Sequence, residues 1–255
     1  MERDHSGIGQ GSIFDTGTVS QFTDATNNFD IIHIDPWKVY TENKDGLFET
    51  IENIKYINSI NKNCFFEVGT EEAIRKFEIE EFDIFLNDLK KYLGNLFDNI
   101  KYGVIQSGTR LIETKNIGRF DSERLEKMIN ICNKYKILSK EHNGDYLSLD
   151  SIKHRFDLGL SAINIAPEFG IFETDILLEH MTNEQKEDFF NICYKSGKWK
   201  NWVDDNFKPF DNKTELIRIC GHYQFNSLDF KKMNLNIDEE IKERLYNKIK
   251  IMNEL

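Results

Sequence analysis

Short apolar runs recur along the chain. Each closes on polar residues and is followed by a stretch with helical spacing. The runs fall at residues 29–35, 64–69, 100–106, 137–142 and 162–167. Their starts lie roughly 25 to 40 residues apart, the size of one strand-plus-helix unit. Between them, residues 71–96 and 121–135 repeat their apolar positions at helical intervals. Alternating strand and helix predicts an α/β fold with a parallel sheet. The expected strands are 31–35, 64–68, 102–106, 137–142 and 161–166.

The faces of these strands narrow the choice. Ile31, His33 and Asp35 share one side of the first, opposite Ile32 and Ile34. In the second, Phe65, Glu67 and Gly69 oppose Phe66 and Val68. Gln106, the pair Lys140 and His142, and Asn164 fall on polar faces of the others. A doubly wound sheet buries apolar residues on both faces. A TIM-type β/α barrel turns polar residues inward at the strand ends, and no GxGxxG follows a strand here. The barrel is therefore the expected fold. Residues 1–5 read as the end of a sixth strand, with Gly7, Gly9 and Gly11 in its loop. A closed barrel needs about eight strands, so the expectation is a partial barrel of about six strands over residues 1–170, either truncated at its start or with two strands lost or replaced. After Gly170 the rhythm stops. Residues 171–255 are expected to form a helical extension packed on the barrel, with helices at 173–180, 183–195 and 237–253.

Composition removes several functions. The net charge of -11 argues against a general nucleic-acid or anionic-membrane binder. No apolar run is long enough to span a membrane. The four cysteines are scattered, with no CxxC, and read as reduced thiols of a cytoplasmic protein.

The chemistry gathers at the strand ends: Arg3, Asp4, His5, His33, Asp35, Lys38, Glu67, Gln106, Arg110, Lys140, His142, Asp145 and Asn164. His5, His33, His142 and Glu67 are the types that hold a divalent metal, zinc above all. Asp4, Asp35 and Glu67 are candidate proton carriers. Arg3, Lys38, Arg110 and Lys140 suit phosphate or an anionic sugar, and Gln106, Asp145 and Asn164 complete the substrate-binding set. The glycines at 7, 9 and 11 could offer backbone N–H groups to a phosphate, or form a plain turn. Lys140 has two further readings, an ion pair with Glu141 and a Schiff-base lysine. His154 and His180 read as structural, Thr70 as a helix N-cap, and Asn143-Gly144 as a tight turn beside the site.

Five segments carry a family resemblance. They are Arg3-Asp4-His5-Ser6-Gly7, His33-Ile34-Asp35, Val68-Gly69-Thr70-Glu71, Gln106-Ser107-Gly108 and Glu141-His142-Asn143-Gly144-Asp145-Tyr146. In order and placement they resemble the GatZ/KbaZ-like family, tagatose-bisphosphate aldolase subunits of the class II aldolase superfamily. Arg218 to Tyr223 looks like a degraded form of an Arg-containing aromatic motif. The resemblance implies a β/α barrel that handles a phosphorylated sugar by metal-assisted aldol cleavage or condensation. It also implies that the family's opening two strands are absent, since its Asp-His motif falls on the third. Ile34 to Lys38 and Ile165 to Gly170 depart from the family wording and mark a divergent member. The family includes non-catalytic subunits that stabilise a partner class II aldolase, so this role, or a homo-oligomer, is the alternative.

Overall fold

The structure, a computed structural model, describes residues 1–10, 22, 24–26 and 29–254. Gly11, the last glycine of the candidate phosphate loop, lies outside the described residues. The chain divides into two compact units. The first comprises residues 1–109, 119–142 and 154–163; the second comprises 110–118, 143–153 and 164–255.

The first unit is built on β1 (Glu2–Ser6), β2 (Ile31–Ile34), β3 (Phe65–Val68) and β4 (Ile100–Ile105). Beyond the short β5 (Leu111–Ile112) and β6 (Lys115–Asn116) of the second unit, it continues with β7 (Leu138–Glu141) and β8 (Ala162–Ile163). The sheet order is β1-β2-β3-β4-β7-β8, and every pairing in it is parallel. Strands thus lie side by side in chain order, as in a β/α barrel. The sheet is also curled. In a flat sheet β1 and β7 would stand about 19 Å apart, four strand spacings. Yet the His5 and His142 rings are 5.2 Å apart, and Glu2 accepts a hydrogen bond from Lys140. The fold is an α/β half-barrel.

Alternation explains the two faces. Ile32, Ile34, Phe66 and Val68 point outward into the core. Three helices cover them: α1 (Asn43–Ile60), α2 (Ile79–Leu93) and α3 (Ser122–Tyr135). They contribute Ile54, Ile57, Phe82, Leu86, Leu125 and Met128. Gly103 of β4 leaves room for this layer, because a Cβ there would meet Cys132, Ile137 and Phe82 at 3.1 Å. On the opposite face lie His33, Glu67 and Lys140.

The helix expected from residue 71 begins only at Ile79. Its N-cap is Glu78, in a reciprocal capping box with Glu81, and Thr70 caps nothing. Gly69, at φ +112, turns the chain away after β3, and residues 70–77 run on as a loop. Lys140 and Glu141 do not pair. They point to opposite faces of β7, and the fully buried Glu141 pairs with Arg155 of α4 (Leu149–Asp157) at 2.9 Å.

In the second unit β5 and β6 form an antiparallel hairpin. Two residues per strand are too few to show alternation, so the sequence did not predict it. The helices are α5 (Pro167–His180), α6 (Asn183–Ser196), α7 (Lys213–Cys220), α8 (Leu228–Lys231) and α9 (Asp238–Asn253). Their core gathers Ile176, Leu177, Phe189, Phe190, Trp199, Leu216 and Ile219. The four cysteines of the chain are buried and unpaired.

His222 follows α7, its ring packed on Gly170 and Tyr223. Its Nδ1 is buried without a hydrogen-bond partner. Burial alone pushes its pKa down from 6.5 to about 4. The folded form therefore binds this proton less well than the unfolded chain. The associated stability is complete above pH 6.5 and is lost as the pH falls toward 4. Urea midpoints measured from pH 7 to 4 should fall less steeply for His222→Phe than for the wild type.

Candidate metal centre

Three histidines arrive from three strand ends. His5 comes from β1, His33 from β2, and His142 follows β7 directly. Their rings stand 4.9, 5.2 and 4.9 Å apart. Strict alternation would place Asp4 and His5 on opposite faces of β1. The pairing register of β1 shifts between Arg3 and Ser6, and His5 has φ +49. This irregularity turns both side chains to the same point. One ligand atom from each of Asp4, His5, His33 and His142 lies within 4.8 Å of all the others.

Each ring has one nitrogen already engaged. His33 Nε2 is 3.1 Å from the Gly69 carbonyl. A carbonyl can only accept, so Nε2 carries hydrogen and Nδ1 faces Asp4 at 3.3 Å. His142 Nε2 lies 2.6 Å from Glu67 Oε1, and His5 Nδ1 lies 2.7 Å from Asp35 Oδ2. Burial pushes both carboxyls up, but the neighbouring histidines outweigh it and hold them down as ionised acceptors. The remaining nitrogens, His5 Nε2 and His142 Nδ1, each stand 3.8 Å from Glu71 Oε2. His5 Nε2 is also 3.7 Å from Asp4. Burial pushes His33 down, but Glu67, Asp4 and Asp35 together raise its pKa to about 9. Four carboxylates around three imidazoles favour positive charge at their centre.

Three imidazole nitrogens beside a carboxylate oxygen form the donor set of zinc and similar borderline cations. Metal-binding histidines donate their second N–H to a carboxylate or carbonyl, and all three rings here have such an acceptor. The residues fit the group.

The other predicted residues divide. Glu67 is fully buried, with Oε1 on His142 and Oε2 2.7 Å from Lys140 Nζ. Asp35, also fully buried, accepts from His5 and from Gln10 Nε2 at 3.0 Å. Lys38 is exposed and donates to Gln10 at 2.8 Å. Arg3 pairs with Asp24 at 3.2 Å. Arg110, Asp145 and Asn164 belong to the second unit. There Asp145 accepts from Ala166 and Glu168 N at 2.9 and 2.8 Å at the start of α5, the Asn164 carbonyl accepts from Gly144 N, and Arg110 leads into the hairpin. His154 packs on Phe120, and Asn143 has φ +58.

Gln106 gives its amide mainly to one loop, its Oε1 also accepting from Arg124 Nη2 at 3.5 Å. Nε2 donates to the Thr70 and Arg75 carbonyls at 2.8 and 2.7 Å, and Oε1 accepts from Phe77 N at 2.9 Å. That loop carries Glu71, which strand alternation does not assign to the site. The motif Val68-Gly69-Thr70-Glu71 at a strand end is the signal the sequence offers, although Glu71 there reads as the first turn of a helix.

Solved structures share this fold at low sequence identity. A probable tagatose 6 phosphate kinase from Sinorhizobium meliloti 1021 superposes with a TM-score of 0.67 and 13% identity, over 85% of this chain and 62% of that one. Native fructuronate-tagaturonate epimerase UxaE from Cohnella laeviribosi gives 0.66 and 10%, over 97% and 66%. Its glycerol complex gives 0.64 and 10%, over 91% and 64%. The chain thus spans less than two thirds of these structures' length. No protein-family model and no curated protein matches it. Among the described residues no helix is long and apolar enough to cross a membrane.

Gln106→Leu should strand three backbone groups of the Glu71 loop. A loss of about 2–3 kcal/mol in urea unfolding is expected, with the sheet intact by circular dichroism.

Proposed function

We propose that the chain carries the metal centre of an enzyme that makes or breaks a carbon–carbon bond beside the carbonyl of a phosphorylated sugar, in the manner of tagatose-bisphosphate aldolase. The observation that carries this is the convergence of Asp4, His5, His33 and His142 on one point, with the second nitrogen of every ring held by an acceptor. His5 Nε2, His33 Nδ1, His142 Nδ1 and Asp4 would hold a divalent cation, zinc by donor type. When bound, that cation polarises a substrate carbonyl. Glu71, with its carboxylate beside two of the rings, is placed to move the proton. Asp35 and Glu67, each committed to one histidine, orient rings. Of the candidate phosphate contacts in the first unit, Lys38, on the loop after β2, is the exposed one. The family resemblance, the fold shared with proteins named for tagatose phosphate and uronate sugars, and four unpaired cysteines suited to the cytoplasm support the same reading.

A second reading is favoured by the sheet edges. β1 and β8 each have a single described neighbour, and an unpaired edge invites another strand. In that reading the chain supports a partner class II aldolase or a second copy of itself. Light scattering, with and without a co-expressed aldolase subunit, checks it.

Elemental analysis should find stoichiometric zinc or a similar divalent cation in the purified protein, and none in His142→Ala at unchanged circular dichroism. Glu71→Gln should keep the metal and lower kcat for triose-phosphate release from a ketose bisphosphate by about 10²–10⁴. Solvent deuterium entering the ketose without release of a triose would point to epimerisation. A wild-type protein that takes up no metal overturns the proposal.

A further inference from the structure

Lys140 lies on the same face of β7 as His142, two residues before it. Its side chain is 8% exposed, and its Nζ sits between Glu67 Oε2, at 2.7 Å, and Glu2. A lysine that binds a phosphate or forms a Schiff base needs an approachable nitrogen. Here two carboxylates already occupy it.

The consequence lies one bond further on. Glu67 is fully buried and both its oxygens are engaged, Oε2 by Lys140 and Oε1 by His142. A carboxylate held at both oxygens cannot rotate about its last bond. Glu67 therefore presents Oε1 to His142 Nε2 in one orientation, and His142 keeps Nδ1 on the other side of the ring, 3.8 Å from Glu71 Oε2. Without Lys140, Oε2 loses its partner, the carboxylate can turn, and the ring loses its fixed acceptor. Glu2 holds the other side of the ammonium and so joins β1 to β7 across the curl.

We infer that Lys140 is a positioning residue of the metal centre, acting through Glu67 to fix the ring orientation and tautomer of His142. The inference rests on reading the three-histidine cluster as a metal site.

Two measurements test it, each with a separate meaning. The first is zinc affinity by competition with a chromophoric chelator. Lys140→Met should bind zinc about 10–100-fold more weakly than the wild type, and Lys140→Arg should recover most of the loss. Glu2→Gln, which removes the tie to β1 but leaves Lys140 on Glu67, should lower the melting temperature and keep the affinity. The second is the pair of ring ¹⁵N shifts of His142 in zinc-free protein. The wild type should show the Nε2–H tautomer, and Lys140→Met a mixture. If the wild type binds no zinc, the metal reading fails while the shifts still decide the role of Lys140. Should Lys140→Met not fold, Lys140→Gln takes its place, with an intermediate affinity expected. Wild-type affinity and an unchanged His142 tautomer in the folded variant overturn the inference.

Discussion

A buried carboxylate must be compensated where it lies, and Glu67 organises this protein through that requirement. It sits near the middle of the sheet with no exposure to water. An isolated charge there would be prohibitively costly. Its partners, Lys140 and His142, come from the far side of β4, and Lys140 in turn reaches Glu2 on β1. The contact with Glu2, four strands away, exists only if the sheet curls. The curl then brings His5 and His33 to His142. One compensated charge thus links the bend of the sheet to the assembly of the site.

Polar pins hold the margins of the same strands. Glu141 accepts from Arg155 and from Ser107 N, and Gln106 binds three backbone groups of the loop after β3. A buried polar group that makes several bonds is costly to disturb, because each lost partner leaves another group unsatisfied. Such residues hold a loop as firmly as a helix would. Glu71, 18% exposed, therefore faces the histidines from an irregular segment.

The strands could be read from the chain because a half-buried strand must alternate. Ile32 and Ile34, Phe66 and Val68 meet helices, and His33 and Glu67 face inward, as their spacing says. Parallel pairing in chain order followed from the helices between the strands. His33 and His142 could be named for the same reason, since each lies in one of the apolar runs, and His5 by reading residues 1–5 as the end of a further strand. The sequence thus determined the α/β architecture, the inward face, and the residues able to take part in a site.

Only the tertiary structure decided their roles. Asp4 and His5 share one point because β1 is irregular there, which alternation does not encode. Lys140 meets Glu2 and Glu67 instead of its neighbour Glu141 because partners 138 and 73 residues away lie on its own face. Glu71 enters the site because Gln106, 35 positions further along, ties down the backbone around it. A side chain's neighbours along the sequence are set by local geometry. Its neighbours in space are set by how the sheet bends, and that is a property of all the strands together.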